Sequence, residues 1–331
     1  MGTKEEILAL FEEQRGVYFS GEEIAAQLSV SRTAVWKAVN SLKEAGYEID
    51  AVKNRGYRLA PETDILSEQG VEKYVNPVSG GLQLSVVKST ASTNSLLREQ
   101  AAGGQSADEE TDGVRVVIAN RQTGGRGRSG RSFFSPADTG IYMSILLRPK
   151  QCLPKEAMRF TTMAAVAACE AIEEISGESA GIKWVNDIYM RGKKVCGILT
   201  EASFGMESGY LESAVLGVGI NVYPPKEGFP PELEEIAGAV FAEQQSDGKN
   251  RLAAEFLNRF LAYYTRRDRK DYRECYRQRS LAIGRQVQVL SPQGNRPALA
   301  LDVDEDCRLV VRYENGETER LSSGEISVRL A

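Results

Sequence analysis

The chain has 331 residues, of which 42% are hydrophobic and 26% charged, and its formal net charge is −5. This composition is typical of a globular protein with two or three domains. The sequence contains no histidine, which excludes Ser-His-Asp and Cys-His catalysis and every histidine-based metal site. Its five cysteines are widely spaced and include no C-x-x-C pair, so we expect neither a disulfide framework nor a zinc site. The acidic start predicts that the chain has no signal peptide. The apolar runs are well below the roughly 20 residues of a membrane span, so we expect a cytoplasmic protein without membrane contact.

Residues 1–62 follow the order helix, short turn, helix and hairpin. Ser20 and Glu23 have the spacing of a capping box at the start of one helix. Ser31 can cap a second helix, which we expect to end near Gly46. Two short alternating strands then follow as a hairpin. This order predicts an N-terminal winged helix-turn-helix domain.

Basic residues are concentrated in the second half of this domain, where residues 31–58 hold six basic and three acidic side chains. The first turns of a recognition helix and the tip of the wing are the places that contact DNA. The predicted DNA-binding residues are Arg32, Thr33, Lys37 and Arg55. Because the domain is small and its charge excess modest, we expect a dimer on operator DNA. The alternative is a winged helix used for protein contacts, with solvated basic residues.

The rest of the chain divides into two further predicted domains. Residues 67–278 alternate strands with helices and predict an α+β domain, a mixed sheet with mostly antiparallel strands, in which residues 180–190 form one strand. Residues 279–331 contain about five short strands separated by turns and predict an SH3-like β-barrel. We assign no function to the acidic loop 103–113.

The stretch NRQTGGRGRSGRSFF, residues 120–134, contains a G-x-G-x-x-G pattern. A dinucleotide fingerprint requires a helix directly after the glycines, and the residues that follow favour a strand. The Lys-Ser/Thr end of a phosphate-binding P-loop is missing, and a position between two buried strands disfavours a plain nucleic-acid tract. Glycines let a backbone fold around a ligand, and arginines neutralise phosphates. The stretch therefore indicates an anion-binding loop that is mobile when empty and orders on binding.

Four segments, in the same order along the chain, resemble the biotin protein ligases. They are STNSLL from Ser92, GRGRSGR from Gly125 with Gln122 before it, KWVNDIY from Lys183 followed by GKKVCGILTE, and GVGINV from Gly217. Phe133 stands where that family often has tryptophan, and Val185 where proline is usual. The winged helix in front and the β module behind resemble the bifunctional subgroup, which is both ligase and transcriptional repressor.

The resemblance implies a reaction in two steps. Biotin and ATP, with Mg²⁺, give biotinyl-5′-AMP, and a lysine of a biotin carboxyl carrier protein then accepts biotin. Lys183 and Arg128 are the implied catalytic residues. The implied contacts to biotin and its adenylate are Ser92, Thr93, Asn94, Gln122, Gly125, Arg126, Gly127, Arg128 and Lys183. Further implied adenylate contacts are Phe133, Asn186 and Arg329. The adenylate-loaded protein is expected to form a homodimer that represses genes of biotin synthesis or uptake.

Two alternatives remain open at this point. One is a ligand-sensing transcriptional regulator without ligase activity, which the intact arginine loop and Lys183 disfavour. The other is a lipoate or octanoate ligase, since those enzymes share a related fold; they lack the GRGRSGR loop.

Overall fold

The computed structural model describes residues 2–78, 81–102, 113–149, 151–205, 208–265, 271–290, 294–322 and 325–328. The chain divides into two compact units, one of Met1–Asn76 with Glu243–Glu255 and one of Pro77–Ala242 with Phe256–Ala331. The segment Glu243–Glu255 therefore belongs to the N-terminal unit, an assignment that its position in the sequence does not indicate. The domain boundaries 1–62, 67–278 and 279–331 stay a prediction.

The N-terminal unit is a winged helix-turn-helix, as predicted. Its elements are α1 (Thr3–Glu13), α2 (Gly21–Gln27), α3 (Arg32–Glu44), β1 (Ile49–Val52), β2 (Gly56–Leu59) and α4 (Glu68–Glu72). The Ser20 hydroxyl accepts a hydrogen bond from the Glu23 N–H, and the Glu23 carboxylate accepts one from the Ser20 N–H, which is the predicted capping box. Ser31 caps α3 through the Ala34 N–H at 3.1 Å. These caps satisfy backbone donors that a helix start leaves unpaired.

The apolar core of this unit forms between α1, α2, α3 and the hairpin. The residues buried there include Ile7, Phe11, Ile24, Val35, Val39, Leu42, Ile49 and Leu59. On α3 the buried positions Val35, Val39 and Leu42 recur at i, i+4 and i+7 and make one apolar stripe. Since that stripe faces the core, the opposite side of α3 is left facing solvent.

A buried ionic cluster joins α1, α4 and the start of the Glu243–Glu255 segment. Arg15 lies 2.7 Å from both Glu12 and Asp247, and Lys73 lies 2.8 Å and 2.7 Å from the same two carboxylates. The side chains of Glu12 and Asp247 are 1% and 4% exposed. Each buried charge thus has two opposite charges beside it, as buried charges require.

The second unit is built on a seven-stranded mixed sheet. The strands are β3 (Leu82–Val87), β4 (Val114–Ala119), β5 (Gly140–Leu147), β6 (Gly181–Lys183), β7 (Asp187–Met190), β8 (Lys193–Phe204) and β9 (Leu211–Asn221). Their order is β3-β4-β5-β9-β8-β7-β6. The β3–β4 pair is parallel and the other pairs are antiparallel, which confirms the predicted sheet. The helices are α5 (Thr93–Ala102), α6 (Met158–Ser176), α7 (Gly248–Thr265) from Phe256 onward, and α8 (Asp271–Gln278); the first part of α7 belongs to the N-terminal unit.

One strand prediction was wrong. Residues 180–190 form two strands, β6 and β7, which pair as a hairpin around a turn at 184–186. The apolar residues 184 and 185 continue the strand-like pattern of the sequence, but in the structure both are buried in the turn. The Trp184–Val185 peptide bond is cis. The turn is fixed from two sides, because Trp184 donates to the Cys307 carbonyl and Tyr276 donates to the Val185 carbonyl.

The two faces of the sheet carry different residues, because side chains alternate along a strand. On one face α5 covers Val117, Leu146 and Val215 through Leu97. Helix α6 lies on the other face, where the Thr161 and Thr200 hydroxyls are 2.7 Å apart. The face that carries α5 is left uncovered beside this helix, over β8 and β9, and this gap forms the pocket of the candidate functional site.

The C-terminal module has the predicted five strands, β10 (Gln286–Leu290), β11 (Arg296–Val303), β12 (Leu309–Tyr313), β13 (Thr318–Leu321) and β14 (Glu325–Val328). They form an antiparallel sheet in the order β13-β12-β11-β10-β14. Between the described residues of the two edge strands, β13 and β14, no ladder closes a barrel. Within the described part of the chain, no helix is both long and apolar enough to cross a bilayer.

Candidate functional site

A pocket opens over three glycines of β8 and β9. Gly197 and Gly219 are cross-strand partners, and Gly217 lies two residues before Gly219 on the same face. A Cβ on Gly217 would lie 2.3 Å from the Asn94 side chain, and one on Gly219 would lie 2.5 Å from the Phe133 ring. Both distances are far below van der Waals contact, so only glycine permits these two side chains to lie on the sheet.

Hydrogen bonds fix the polar end of the pocket, where α5 begins. The Gln122 amide oxygen accepts from the N–H and the hydroxyl of Thr93, at 2.9 Å and 3.1 Å. The Ser144 hydroxyl lies 2.7 Å from the Thr93 hydroxyl and 2.6 Å from the Asn94 amide oxygen. Ser92 caps this helix start weakly, with its hydroxyl 3.5 Å from the Ser95 N–H. Ser92, Thr93 and Asn94 are buried, so this end offers a rigid set of donors and acceptors.

The arginine-rich stretch forms a hairpin rather than an open loop. The Gly125 carbonyl accepts from the Phe133 N–H at 2.9 Å, and the Gly127 N–H donates to the Arg131 carbonyl at 2.7 Å. Ser129 has φ +55° at the tip. A strand, β5, follows it, in agreement with the rejection of a dinucleotide fingerprint. The mobility of the arginine hairpin in the absence of ligand stays a prediction.

Glu201 connects the hairpin to the polar end of the pocket. Its carboxylate accepts from the Asn94 amide at 2.8 Å and from Arg98 at 2.9 Å, and it lies 3.1 Å from Arg126. One acidic side chain therefore orients both a buried pocket residue and a cation of the hairpin.

Arg128 and Phe133 lie on the other side of the pocket. Arg128 donates to the Asn186 amide oxygen at 3.0 Å, and Asn186 donates to the Ile198 carbonyl at 2.8 Å. The Phe133 ring meets the Tyr142 ring edge-on, with centroids 6.4 Å apart. Phe133 thus presents a flat apolar surface beside a cation, an arrangement suited to a nucleotide base and its phosphates.

Two lysines line the same pocket. The Lys183 ammonium lies 5.5 Å from the Tyr189 ring centroid, and the Lys194 ammonium lies 2.7 Å from the Asp187 carboxylate. The Tyr189 phenol, whose pKa burial raises to about 12, is neutral at pH 7, and its ring face lies beside the Lys183 ammonium. Arg126, Arg128 and Arg131 are also in the lining, in which Asp187 is the one acid among the described residues.

The structure brings nearly all the predicted site residues together. Among those lining the pocket are Ser92, Thr93, Asn94, Gln122, Arg126, Gly127, Arg128, Phe133, Lys183 and Asn186. Gly125 is not in the lining; a Cβ there would lie 2.4 Å from the Phe133 carbonyl, so it shapes the hairpin instead. Arg329 and nearly all of the acidic loop 103–113 lie outside the described residues.

Sequence reasoning did not select several residues of this site: Ser144, Tyr142, Asp187, Lys194, Gly197 and Glu201. Lys194 and Glu201 lie within the quoted segment GKKVCGILTE, which was used only to support the resemblance. Alternation along β8 would have placed Gly197 and Glu201 on one face. The partners of Glu201 on α5, Asn94 and Arg98, are separated from it by 107 and 103 residues, and no local pattern indicates those contacts.

The predicted DNA-binding residues lie on the exposed surface of the N-terminal unit. Arg32, Thr33 and Lys37 are exposed on α3. Arg55, in the turn between β1 and β2, stacks its guanidinium 4.2 Å from the Tyr18 ring centroid. Arg58 also stacks on Tyr18, and it pairs with Asp50 at 2.7 Å. No group of three or more Cys, Asp or Glu side chains that could hold a metal ion occurs within the described residues.

The fold and the pocket define a class of protein, a ligand-binding α+β domain between a winged helix and a small β module. Three family models match these parts: an HTH domain at residues 3–58, the Biotin/lipoate A/B protein ligase family at 86–221, and the Biotin protein ligase C terminal domain at 282–329. The chain belongs to the family of bifunctional ligase/repressors, biotin protein ligases with an N-terminal helix-turn-helix domain.

Two relatives that align with 95% of the chain support this assignment. The bifunctional ligase/repressor BirA of Bacillus spizizenii and that of Bacillus subtilis are each 33% identical to it over 321 residues, which cover 95% of both chains. The structure of the biotin protein ligase from Aquifex aeolicus in complex with biotin and ATP matches with a TM-score of 0.60 and 26% identity. That match covers 75% of this chain and 98% of the other.

Proposed function

We propose that this protein joins biotin to a lysine of a biotin carboxyl carrier protein at the expense of ATP, and that its biotinyl-5′-AMP-loaded form represses transcription. The observation that carries the proposal is one pocket with a rigid polar end at Thr93, Asn94 and Gln122 and a cationic end at Arg128, Lys183 and Lys194. A small amphipathic carboxylic acid and a triphosphate need these two environments side by side.

Biotin occupies the polar end in this proposal. The ureido group of biotin has N–H donors and a carbonyl acceptor, and the Thr93, Asn94, Gln122 and Ser144 side chains offer both kinds of partner. The hydrogen bonds among these four side chains hold them in place before ligand arrives. Such preorganisation lowers the entropy lost on binding.

The first chemical step is attack of the biotin carboxylate on the α-phosphorus of ATP. The new bond joins the carboxylate oxygen to phosphorus, and the bond to pyrophosphate breaks. Two anions must approach each other, so neutralisation of charge is the main task of the protein. Lys183 contacts the carboxylate and the transferring phosphate, Lys194 adds a second ammonium, and Arg126 and Arg128 hold the phosphates. Phe133 stacks on the adenine, with Asn186 and Arg329 as further adenylate contacts.

Mg²⁺ enters as part of the ATP substrate. Asp187 in the pocket lining is paired with Lys194, and Glu201, next to the lining, is paired with Arg98 and Arg126, so these two acids do not form a carboxylate cage. A magnesium ion held mainly by phosphates and water needs none.

The second step needs no nucleophile from this chain. The ε-amine of the carrier lysine attacks the acyl carbon of the mixed anhydride, the bond to phosphate breaks, and AMP leaves with the electron pair. The amine loses its proton to solvent as the amide forms. This division of labour fits a chain without histidine, because the partner supplies the attacking group.

Repression follows from linkage between ligand and DNA. We propose that the adenylate orders the arginine hairpin and favours a homodimer, and that the dimer binds operator DNA in the cytoplasm through Arg32, Thr33, Lys37 and Arg55. If adenylate raises the affinity for DNA, DNA must raise the affinity for adenylate by the same factor. The cationic exposed side of α3 supports this part of the proposal.

One incubation tests the ligase. The protein is mixed with biotin, MgATP and an isolated carrier domain of acetyl-CoA carboxylase, and the mass of the carrier is followed by mass spectrometry. We expect one biotinyl addition, and none with lipoate or octanoate in place of biotin. An unmodified carrier, with ligand binding intact, would favour the regulator without ligase activity.

Two lysine variants test the charge assignment. Lys183→Ala should abolish most pyrophosphate release in the first step, because a positive charge beside the carboxylate is lost. Lys193→Ala is the control, because Lys193 precedes Lys194 in β8 and donates to the Glu234 carbonyl, outside the pocket. Full activity of Lys183→Ala would remove Lys183 from the catalytic assignment and leave Lys194 as the candidate.

A further inference from the structure

Trp36 is a large apolar side chain on the exposed face of α3. Its exposure, 56%, is the highest among the exposed large hydrophobic residues of the described chain. The protein has one other tryptophan, Trp184, which is 4% exposed and donates its indole N–H to the Cys307 carbonyl. Burying a tryptophan stabilises a fold by several kcal/mol, and Trp36, with more than half of its surface exposed, forgoes much of that.

The core does not need Trp36 where it is. The buried stripe of α3 is Val35, Val39 and Leu42, and position 36 lies next to that stripe on the solvent side. A polar residue there would continue the amphipathic pattern. The sequence therefore places the largest side chain of the helix, an apolar one, on the side that the core does not use.

The neighbours of Trp36 are the residues proposed to contact DNA. Arg32 precedes it by four residues and Thr33 by three, so all three share one surface of α3. One helical turn advances about 5.4 Å, and base pairs are about 3.4 Å apart. When Arg32 and Thr33 reach one base pair, the indole therefore lies over the next one or two.

Apolar surface in the major groove has a specific counterpart. The base edges there are hydrogen-bond donors and acceptors, apart from the C5-methyl group of thymine. Contact between an exposed indole and that methyl removes both from water. We propose that Trp36 is a specificity-determining residue that reads a thymine C5-methyl group beside the base pair contacted by Arg32 and Thr33. The inference rests on the proposed operator binding and adds a base preference to it.

The test begins with sequence selection. Full-length protein with biotin and MgATP selects duplexes from a random-sequence pool, and the best duplex becomes the probe. Each thymine is then replaced in turn by deoxyuridine, which removes the methyl group alone. At one thymine in each half-site we expect binding to weaken about fourfold, the effect of burying one methyl or methylene group.

The Trp36→Ala variant completes the cycle. It should bind the thymine duplex more weakly than the wild type and lose the sensitivity to deoxyuridine at that same position. Val17→Ala removes another exposed apolar side chain of this unit outside α3 and should keep the sensitivity. Circular dichroism and the thermal midpoint of Trp36→Ala establish that the domain is folded.

The possible results separate the two levels of the proposal. If the wild type selects no sequence, the proposed repressor function is wrong. If it selects one but deoxyuridine never weakens binding, the thymine contact is wrong. If Trp36→Ala loses affinity for selected and random DNA by the same factor, Trp36 has a structural or backbone-contacting role, and the specificity proposal is overturned.

Discussion

The guanidinium of Arg126 lies 3.1 Å from the carboxylate of Glu201. The same carboxylate accepts from the Asn94 amide, which connects the arginine hairpin to the proposed biotin end through a single residue. We expect Glu201→Ala to leave the Asn94 donor without this partner and to raise the KM for biotin by roughly tenfold, the effect of one lost hydrogen bond to a charged group.

Glu201→Gln separates the two contacts, because it keeps an acceptor for Asn94 but removes the negative charge beside Arg126. Its KM for biotin should rise less than that of Glu201→Ala. Glu212→Gln, an exposed position on β9, is the matched control for steady-state kinetics. Equal effects of Ala and Gln at position 201 would mean that charge, rather than the Asn94 contact, is what matters.

Gly217 and Gly219 offer a second prediction, since they lie under different parts of the pocket. A methyl group at Gly217 would meet Asn94, and one at Gly219 would meet Phe133. Gly217→Ala should therefore weaken biotin binding, and Gly219→Ala should weaken ATP binding, each by tenfold or more, because overpacking costs about 1–3 kcal/mol. Calorimetric titration with each ligand checks this. If both variants affected one ligand equally, the assignment of the two ends would fail.

The sequence predicted elements better than contacts. The caps Ser20 and Ser31 and the other strands of the sheet have local patterns and were predicted, but β6 and β7 were predicted as one strand. The turn at Trp184 was missed, because burial of an apolar turn depends on the distant residues Cys307 and Tyr276 that cover it. Glu201 was missed for a related reason: its role exists only once β8, α5 and the arginine hairpin come together.

Tyr18 allows a third prediction, about the wing. Its ring holds Arg55 at 4.2 Å, while Arg58 beside it is paired with Asp50. Arg55→Ala should weaken binding to all duplexes and lower the slope of log affinity against log salt by about one. Tyr18→Ala should weaken binding a few-fold with that slope unchanged, because the arginine is present but less ordered. Tyr18→Phe keeps the ring and should bind as the wild type does. A loss with Tyr18→Phe equal to that of Tyr18→Ala would contradict the stacking argument.

The ionic cluster of the N-terminal unit yields the last prediction. Asp247→Asn removes one of two carboxylates that face Arg15 and Lys73, and breaking a buried pair in this way costs about 3–5 kcal/mol. Urea unfolding at pH 7 should show a loss toward the lower end of that range, because Glu12 remains.

The pKa of Lys73, in the same cluster, sets a pH dependence. Burial lowers this pKa, but hydrogen bonds to Asp247 and Glu12 outweigh burial, and the net pKa is raised. The stabilisation from Lys73 is therefore complete below the unfolded pKa of about 10.4 and is lost as the pH rises through the higher folded value. The difference in unfolding free energy between wild type and Lys73→Met should accordingly shrink in alkaline solution, and a difference that grew there would reverse the sign of this argument.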